Sequence, residues 1–112
     1  MITFDCNRYY HFYHDGEVVG TCTCFPSRYI EKAVELWAFG LRGDCRGRGL
    51  GQQFLREVIA HNSGKMIVLF VEKKNARAIH IYEKAGFQIV GDYRGGSFAW
   101  EMRLAAPPVR FD

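Results

Sequence analysis

"VEKKNARAIHIYEKAGFQIVG", residues 71–91, runs from the end of one apolar stretch through a helical one into another apolar stretch. Met66 to Val71, which leads into it, is short and unbroken, as expected of a strand buried on both faces. Asn75 to Ala85 reads as a helix, and Gly86 is well placed to end it in the left-handed conformation. Phe87 to Tyr93 then returns as a strand.

Toward the N-terminus lies "CRGRGLGQQFLREVIAH", residues 45–61, in which Leu50, Phe54, Leu55, Val58 and Ile59 recur at helical spacing. That stripe ends near Asn62-Ser63-Gly64, a stop signal. Ala33 to Leu41 reads as a strand. Earlier still, Tyr9 to His14 and Val18 to Phe25 flank Asp15-Gly16, and both turn positions of such a two-residue hairpin need positive φ. Toward the C-terminus, Phe98, Trp100, Met102 and Leu104 alternate with Ser97, Ala99, Glu101 and Arg103, which predicts a last strand with one buried face. Pro107-Pro108 stops it, and residues 105–112 read as a loose tail. The order β-β-β-α-β-α-β-β predicts an α/β (α+β) domain over residues 1–104: a mixed, mostly antiparallel sheet of six to seven strands with two main helices.

A chain of 112 residues suits one domain and can bury a core without disulfides. Its charge of +3 is too mild to argue for nucleic acid or an acidic membrane. No apolar run approaches the roughly 20 residues of a membrane span, and the N-terminus lacks a secretion signal, so the cytoplasm is the expected compartment. In that compartment Cys6, Cys22, Cys24 and Cys45 read as free thiols, with neither a zinc-knuckle spacing nor a nucleophile pattern, and no metal site is expected. The aromatic run from Arg8 to His14 reads as hairpin packing rather than a base-stacking platform. His11, His14 and His61 read as surface residues, and His80, two residues before Tyr82, points away from it.

Arg46-Gly47-Arg48-Gly49-Leu50-Gly51 places cationic and flexible residues at the mouth of a helix. A helix N-terminus exposes unpaired N–H groups and the positive end of the macrodipole, and glycines let an anion come close. By itself the turn is either a bare connection or a phosphate cradle. It is neither a Walker loop nor the three-glycine dinucleotide fingerprint.

Asn75, Tyr82 and Gly86-Phe87, set after a strand, resemble the GNAT superfamily of N-acetyltransferases over about residues 8–104, and the Arg46 to Gly51 turn resembles its acetyl-CoA pyrophosphate loop. The resemblance implies that the strand Ala33–Leu41 splays from Met66–Val71 to leave a slot for the pantetheine arm. It implies that Leu41 and Arg42 pair with that arm through their main chain, with Phe39 nearby. Backbone N–H groups of Arg46, Gly47, Arg48, Gly49, Leu50 and Gly51, with Gln52, would take the pyrophosphate, and Asn75 would hold the far side of the arm. Lys73, Lys74 and Arg77 would be placed either for the 3′-phosphate or as a solvated helix start.

Acetyl transfer needs a neutral amine, yet a lysine of pKa ~10.4 is deprotonated only about once in 2,500 molecules at pH 7, at a cost of roughly 4–5 kcal/mol. Glu35, eleven residues before Arg46, has a spacing similar to the base glutamate of the histone-acetyltransferase branch; otherwise it is a strand-end carboxylate, solvated or paired with Arg42. The resemblance makes Tyr82 the general acid at the coenzyme sulfur, although full proton transfer from a phenol to a thiolate is uphill by about 2 kcal/mol. Its other reading is a buried aromatic on an amphipathic helix. A backbone N–H between Phe39 and Leu41 would support the oxyanion.

GNAT chains usually begin with a strand and two helices that wall the acceptor side. Only about eight residues precede the first hairpin strand here, with Met1 to Asp5 as the possible remnant. An open acceptor face suits a protein or peptide amine, or a second copy that covers it, so the expected partners are acetyl-CoA and an amine, in a monomer or homodimer. The other class of function is a non-catalytic acetyl-CoA-binding module that docks a partner protein.

Overall fold

The structure is a computed structural model that describes residues 2–4 and 9–106; Cys6 and the tail from Pro107 onward lie outside the described residues. Nine elements follow in order: β1 (Ile2–Phe4), β2 (Tyr9–His14), β3 (Glu17–Pro26), β4 (Ala33–Leu41), α1 (Leu50–His61), β5 (Met66–Glu72), α2 (Ala76–Lys84), β6 (Gln88–Asp92) and β7 (Ala99–Leu104). The seven strands form one sheet in the order β1-β2-β3-β4-β5-β7-β6. Only the β4–β5 pair is parallel, because α1 carries the chain across between them.

The local signals act where the sequence set them. Asp15 and Gly16 both take positive φ, 52° and 79°, and close the β2–β3 hairpin. Gly86 ends α2 at φ 105°. Asn75 caps the other end of α2, its side-chain oxygen accepting from the Ala78 N–H at 3.2 Å. The last strand departs from expectation at its start: Phe98 is 67% exposed and β7 begins at Ala99. The residue lies just before the strand, where its carbonyl accepts from the Lys73 N–H and its ring is left outside.

The core lies on one face of the sheet. Phe12, Cys22, Leu36, Leu69 and Met102 turn toward Phe54, Leu55 and Val58 of α1 and Tyr82 of α2. Phe54 is the centre of this layer, with its ring stacked on Phe12 at 4.9 Å and on Phe39 at 5.0 Å. Alternation sends Glu35, Val68, Phe70, Glu101 and Arg103 to the opposite face, which no helix covers among the described residues.

The β4–β5 ladder is short. It pairs Ala33 with Met66 and ends at Leu36 with Leu69, while β4 continues to Leu41 and β5 to Glu72. The cause lies on the other edge of β4. Trp37 pairs with Thr23 and Gly40 with Thr21, so Ala38 and Phe39 together oppose Cys22. This bulge, with Ala38 held at φ 54°, turns the end of β4 away from β5 and opens a fork.

Candidate active site

On the helix-covered face the fork opens into a groove of about 420 Å³ between β4, α1 and α2. Phe39, Gly40 and Leu41 form one wall, and Ala78, Ile81 and Tyr82 of α2 form the other. Its end is the turn before α1. Gly47 and Gly49 sit in the left-handed region, at φ 80° and 75°, and a Cβ at either would meet nothing within 4 Å. No side chain caps α1, and its first closure is the Gln53 N–H to the Gly49 carbonyl at 3.1 Å. The amides of Leu50, Gly51 and Gln52 therefore point out of the helix without a carbonyl inside it. Gly51 plays another part: a Cβ there would come within 3.2 Å of the Leu41 side chain, so the glycine eases the approach of α1 to β4. Arg46, Arg77 and Lys84 also line this groove, with His80, which gives the lining three cationic side chains. Free amides, a helix dipole, open glycine surface and cationic side chains fit a diphosphate.

Tyr82 projects from α2 into the deep part of the groove, only 6% exposed, with its ring edge-on to Phe39 at 5.9 Å. Burial, and secondarily the nearby Cys22 thiol, push its phenol up to about 12. The hydroxyl makes no hydrogen bond among the described residues.

Of the other residues singled out from sequence, several have different occupations. The Arg42 N–H donates to the Val19 carbonyl at 2.7 Å, and its guanidinium is held by Asp44 at 2.7 Å and Glu17 at 3.1 Å. It therefore stands beside the groove without lining it. Arg48 is exposed away from the lining, and Leu50 is packed in the core. Gln52 lines the groove, but its side-chain amide donates to the Ile81 carbonyl at 3.3 Å and ties α1 to α2. Asn75 lines it at the far end, its carboxamide oxygen already used as the helix cap. Lys73 pairs with Asp92 and lies 4.0 Å over the Trp100 ring, and Lys74 is 3.7 Å from Glu72. Of the three basic residues proposed for a 3′-phosphate, only Arg77 is in the groove. His80 lies exposed at its rim.

Glu35 occupies the opposite face. It is 3% exposed, the one buried charged side chain among the described residues, and it is not paired with Arg42. Oε1 accepts from the Trp37 indole N–H at 2.9 Å, and Oε2 accepts from the Ser27 hydroxyl at 3.0 Å and the Arg28 N–H at 3.4 Å. It opens on a second cavity of about 300 Å³, floored by Val68 and Phe70 and flanked by Tyr93 and Glu101. Glu35 lies one residue before the end of the β4–β5 ladder, at the root of the fork. The two candidate catalytic groups thus approach one fork from opposite faces of the sheet. Trp37, two residues on from Glu35, was readable as its neighbour on the same strand face; Ser27 was not, because only the folded β3–β4 loop brings it to the carboxylate.

The family model described as the acetyltransferase (GNAT) family matches residues 2–87, and the chain belongs to that family. Three relatives are acetyltransferases by name. The 5-NmdU N-acetyltransferase of Pseudomonas phage PaMx11 is 28% identical over 83 residues, covering 74% of this chain and 59% of that protein. The mycothiol acetyltransferase of Corynebacterium glutamicum (strain R) is 36% identical over 82 residues, 70% of this chain and 27% of the relative. The N-alpha-acetyltransferase RimI of Mycobacterium tuberculosis is 34% identical over 74 residues, 62% of this chain and 47% of the relative. The chain therefore spans less than two thirds of the length of each. Among solved structures, a putative acetyltransferase from Salmonella typhimurium with its cofactor acetyl-CoA aligns with TM-score 0.73 at 22% identity, over 93% of this chain and 67% of that one. An N-acetyltransferase from Thermoplasma acidophilum in complex with coenzyme A aligns with TM-score 0.72 at 18% identity, over 85% and 58%. At these identities the likeness is one of fold.

Proposed function

We propose that this chain is an acetyl-CoA-dependent N-acetyltransferase that moves acetyl directly to a primary amine of a protein or peptide in a ternary complex, in the cytoplasm. The observation that carries the reading is the fork, with an anion cradle and a buried phenol on one side and a buried, triply hydrogen-bonded carboxylate on the other. In this reading the amides from Gly47 to Gln52 and Arg46 hold the diphosphate of the coenzyme, and Phe39 to Leu41 border its arm. The thioester then lies at the root of the fork, and the amine arrives from the uncovered face.

Glu35 accepts the ammonium proton, directly or through one water. Its three donors fix the carboxylate while leaving lone pairs for that proton, since an ionised carboxylate offers about four acceptor sites. Nitrogen attacks the carbonyl carbon, the C–N bond forms and the C–S bond breaks, and the nitrogen gives up its second proton to solvent to leave a neutral amide. The β4 edge beyond Leu36, which has no ladder partner on β5, offers backbone N–H groups to the oxyanion. Tyr82 donates a hydrogen bond to the departing sulfur. With its phenol pushed up to about 12, complete transfer to a thiolate of ordinary basicity costs roughly 5 kcal/mol. Tyr82 therefore acts as a hydrogen-bond donor, and the sulfur receives its proton later from solvent.

The test follows free thiol from acetyl-CoA, and acetylated product, in the parent protein and in Glu35→Gln. Thiol release that falls at least about a hundredfold in Glu35→Gln while acetyl-CoA affinity holds supports the assignment. Acetyl-CoA binding with no release above the spontaneous rate for any amine would replace it with a binding module.

A further inference from the structure

The cavity on the uncovered face carries a charge asymmetry that amine acetylation alone does not need. Four acidic or basic side chains line it: Glu35, Glu101, Arg103 and Arg94. Glu101 and Arg103 neutralise each other at 2.6 Å. That leaves the Glu35 carboxylate at the floor and the Arg94 guanidinium above it. Arg94 has no carboxylate partner among the described residues. It is nonetheless held in place: Nη2 donates to the Tyr29 hydroxyl at 2.8 Å, and the guanidinium lies 5.4 Å from the Tyr93 ring and 5.8 Å from the Tyr29 ring. These contacts join the β3–β4 loop to the β6–β7 loop across the cavity. The Arg94 backbone is in the left-handed region, at φ 53° and ψ 33°, a strained state for a residue with a long side chain. A guanidinium that lies over two rings and spends one of its five donors on a phenol keeps the rest for a bidentate anion.

Resting on the acetyltransferase reading, we propose that the acceptor is an acidic peptide: Arg94 receives a carboxylate or phosphate on the acceptor chain while Glu35 receives the reacting amine. A cavity of 300 Å³ is about 8 Å across if compact, which matches roughly two residues of extended chain at about 3.4 Å each. The anionic side chain thus falls one or two residues from the amine. The half-buried ring of Phe70, in tilted contact with Trp37 at 5.1 Å and Tyr93 at 4.3 Å, supplies an apolar floor for the intervening residue.

The experiment measures thiol release from acetyl-CoA with short peptides that differ at one position near the free amine: Asp against Asn, phosphoserine against Ser, and Lys. Asp is expected to exceed Asn in kcat/KM at least tenfold, with Lys below Asn. The phosphoserine arm tells whether phosphate serves as well as carboxylate. Arg94→Asn, chosen because Asn tolerates the left-handed backbone, is expected to bring the Asp/Asn ratio toward one, while Arg94→Lys keeps part of it. Transfer that proceeds equally with Asp and Asn, or with a ratio unchanged in Arg94→Asn, overturns the anion site and leaves the transfer reading standing. If no peptide gives thiol release, the transfer reading has failed, and binding of a labelled Asp peptide decides the site alone. Binding that is lost in Arg94→Asn supports it, and binding that is absent or indifferent to Arg94 overturns it. Should Arg94→Asn fail to fold, Tyr29→Phe removes the restraining hydroxyl and is expected to lower the same ratio by a smaller factor.

Discussion

Tyr82, proposed as the donor to the departing sulfur, is buried, and that burial makes it a pH-dependent element of stability. Its phenol is pushed up to about 12 in the folded chain, against about 10 when unfolded. As pH rises through 10 the unfolded chain gives up this proton first, so the folded state is favoured in full below pH 10 and loses that advantage between 10 and 12. The loss amounts to about 2–3 kcal/mol. Cys22, whose thiol is raised by burial and by Cys24, adds to it in the same direction. Urea unfolding at pH 8 and pH 11 should show Tyr82→Phe losing less stability over this interval than the parent. At neutral pH the same variant should cut kcat about 10- to 100-fold with little change in acetyl-CoA affinity. An unchanged kcat would remove the phenol from the chemistry.

At the scale of elements, the fork depends on a bulge and on close approach by glycine. Ala38 holds a left-handed conformation within β4. Ala38→Gly should therefore be neutral or stabilising, by up to about 1 kcal/mol, in denaturant titration. Gly20 is the reverse case. A Cβ there would lie 2.8 Å from Leu41 and 2.9 Å from the Gly40 carbonyl, both on the groove wall. Gly20→Ala should destabilise by about 1–3 kcal/mol and weaken acetyl-CoA binding together, read by thermal melting and calorimetry. The hairpin, both helices and the glycine turn were legible because each rests on local chemistry: Asp15-Gly16, a period of 3.6, and Gly47 and Gly49. The bulge was not, because an alanine in a strand carries no mark of positive φ. Arg42 was assigned by resemblance to pair with the arm through its main chain; that its N–H is given to the Val19 carbonyl and its guanidinium to Asp44 and Glu17 is visible only in the folded chain. Ser27 escaped notice because only the folded β3–β4 loop turns it onto Glu35, and Arg94 because its contact with Tyr29 joins loops 65 residues apart.

Over the whole molecule, one sheet separates two jobs. Its covered face holds the core and the groove proposed for the coenzyme, and its uncovered face holds the cavity proposed for the acceptor. Phe54 ties the first face together through Phe12 and Phe39, so Phe54→Ala should cost about 3–5 kcal/mol and also loosen the groove wall. No helix of the described chain is long and apolar enough to cross a membrane. The central claim, that coenzyme and acceptor meet at the fork from opposite faces, is most directly tested by a crystal structure with a coenzyme A–acetyl-peptide conjugate. The account predicts the diphosphate on the amides between Gly47 and Gln52, the linkage passing between β4 and β5 beyond Leu36 and Leu69, and the peptide emerging beside Glu35. A conjugate whose peptide stays on the helix-covered face, or whose diphosphate lies away from that turn, would contradict it.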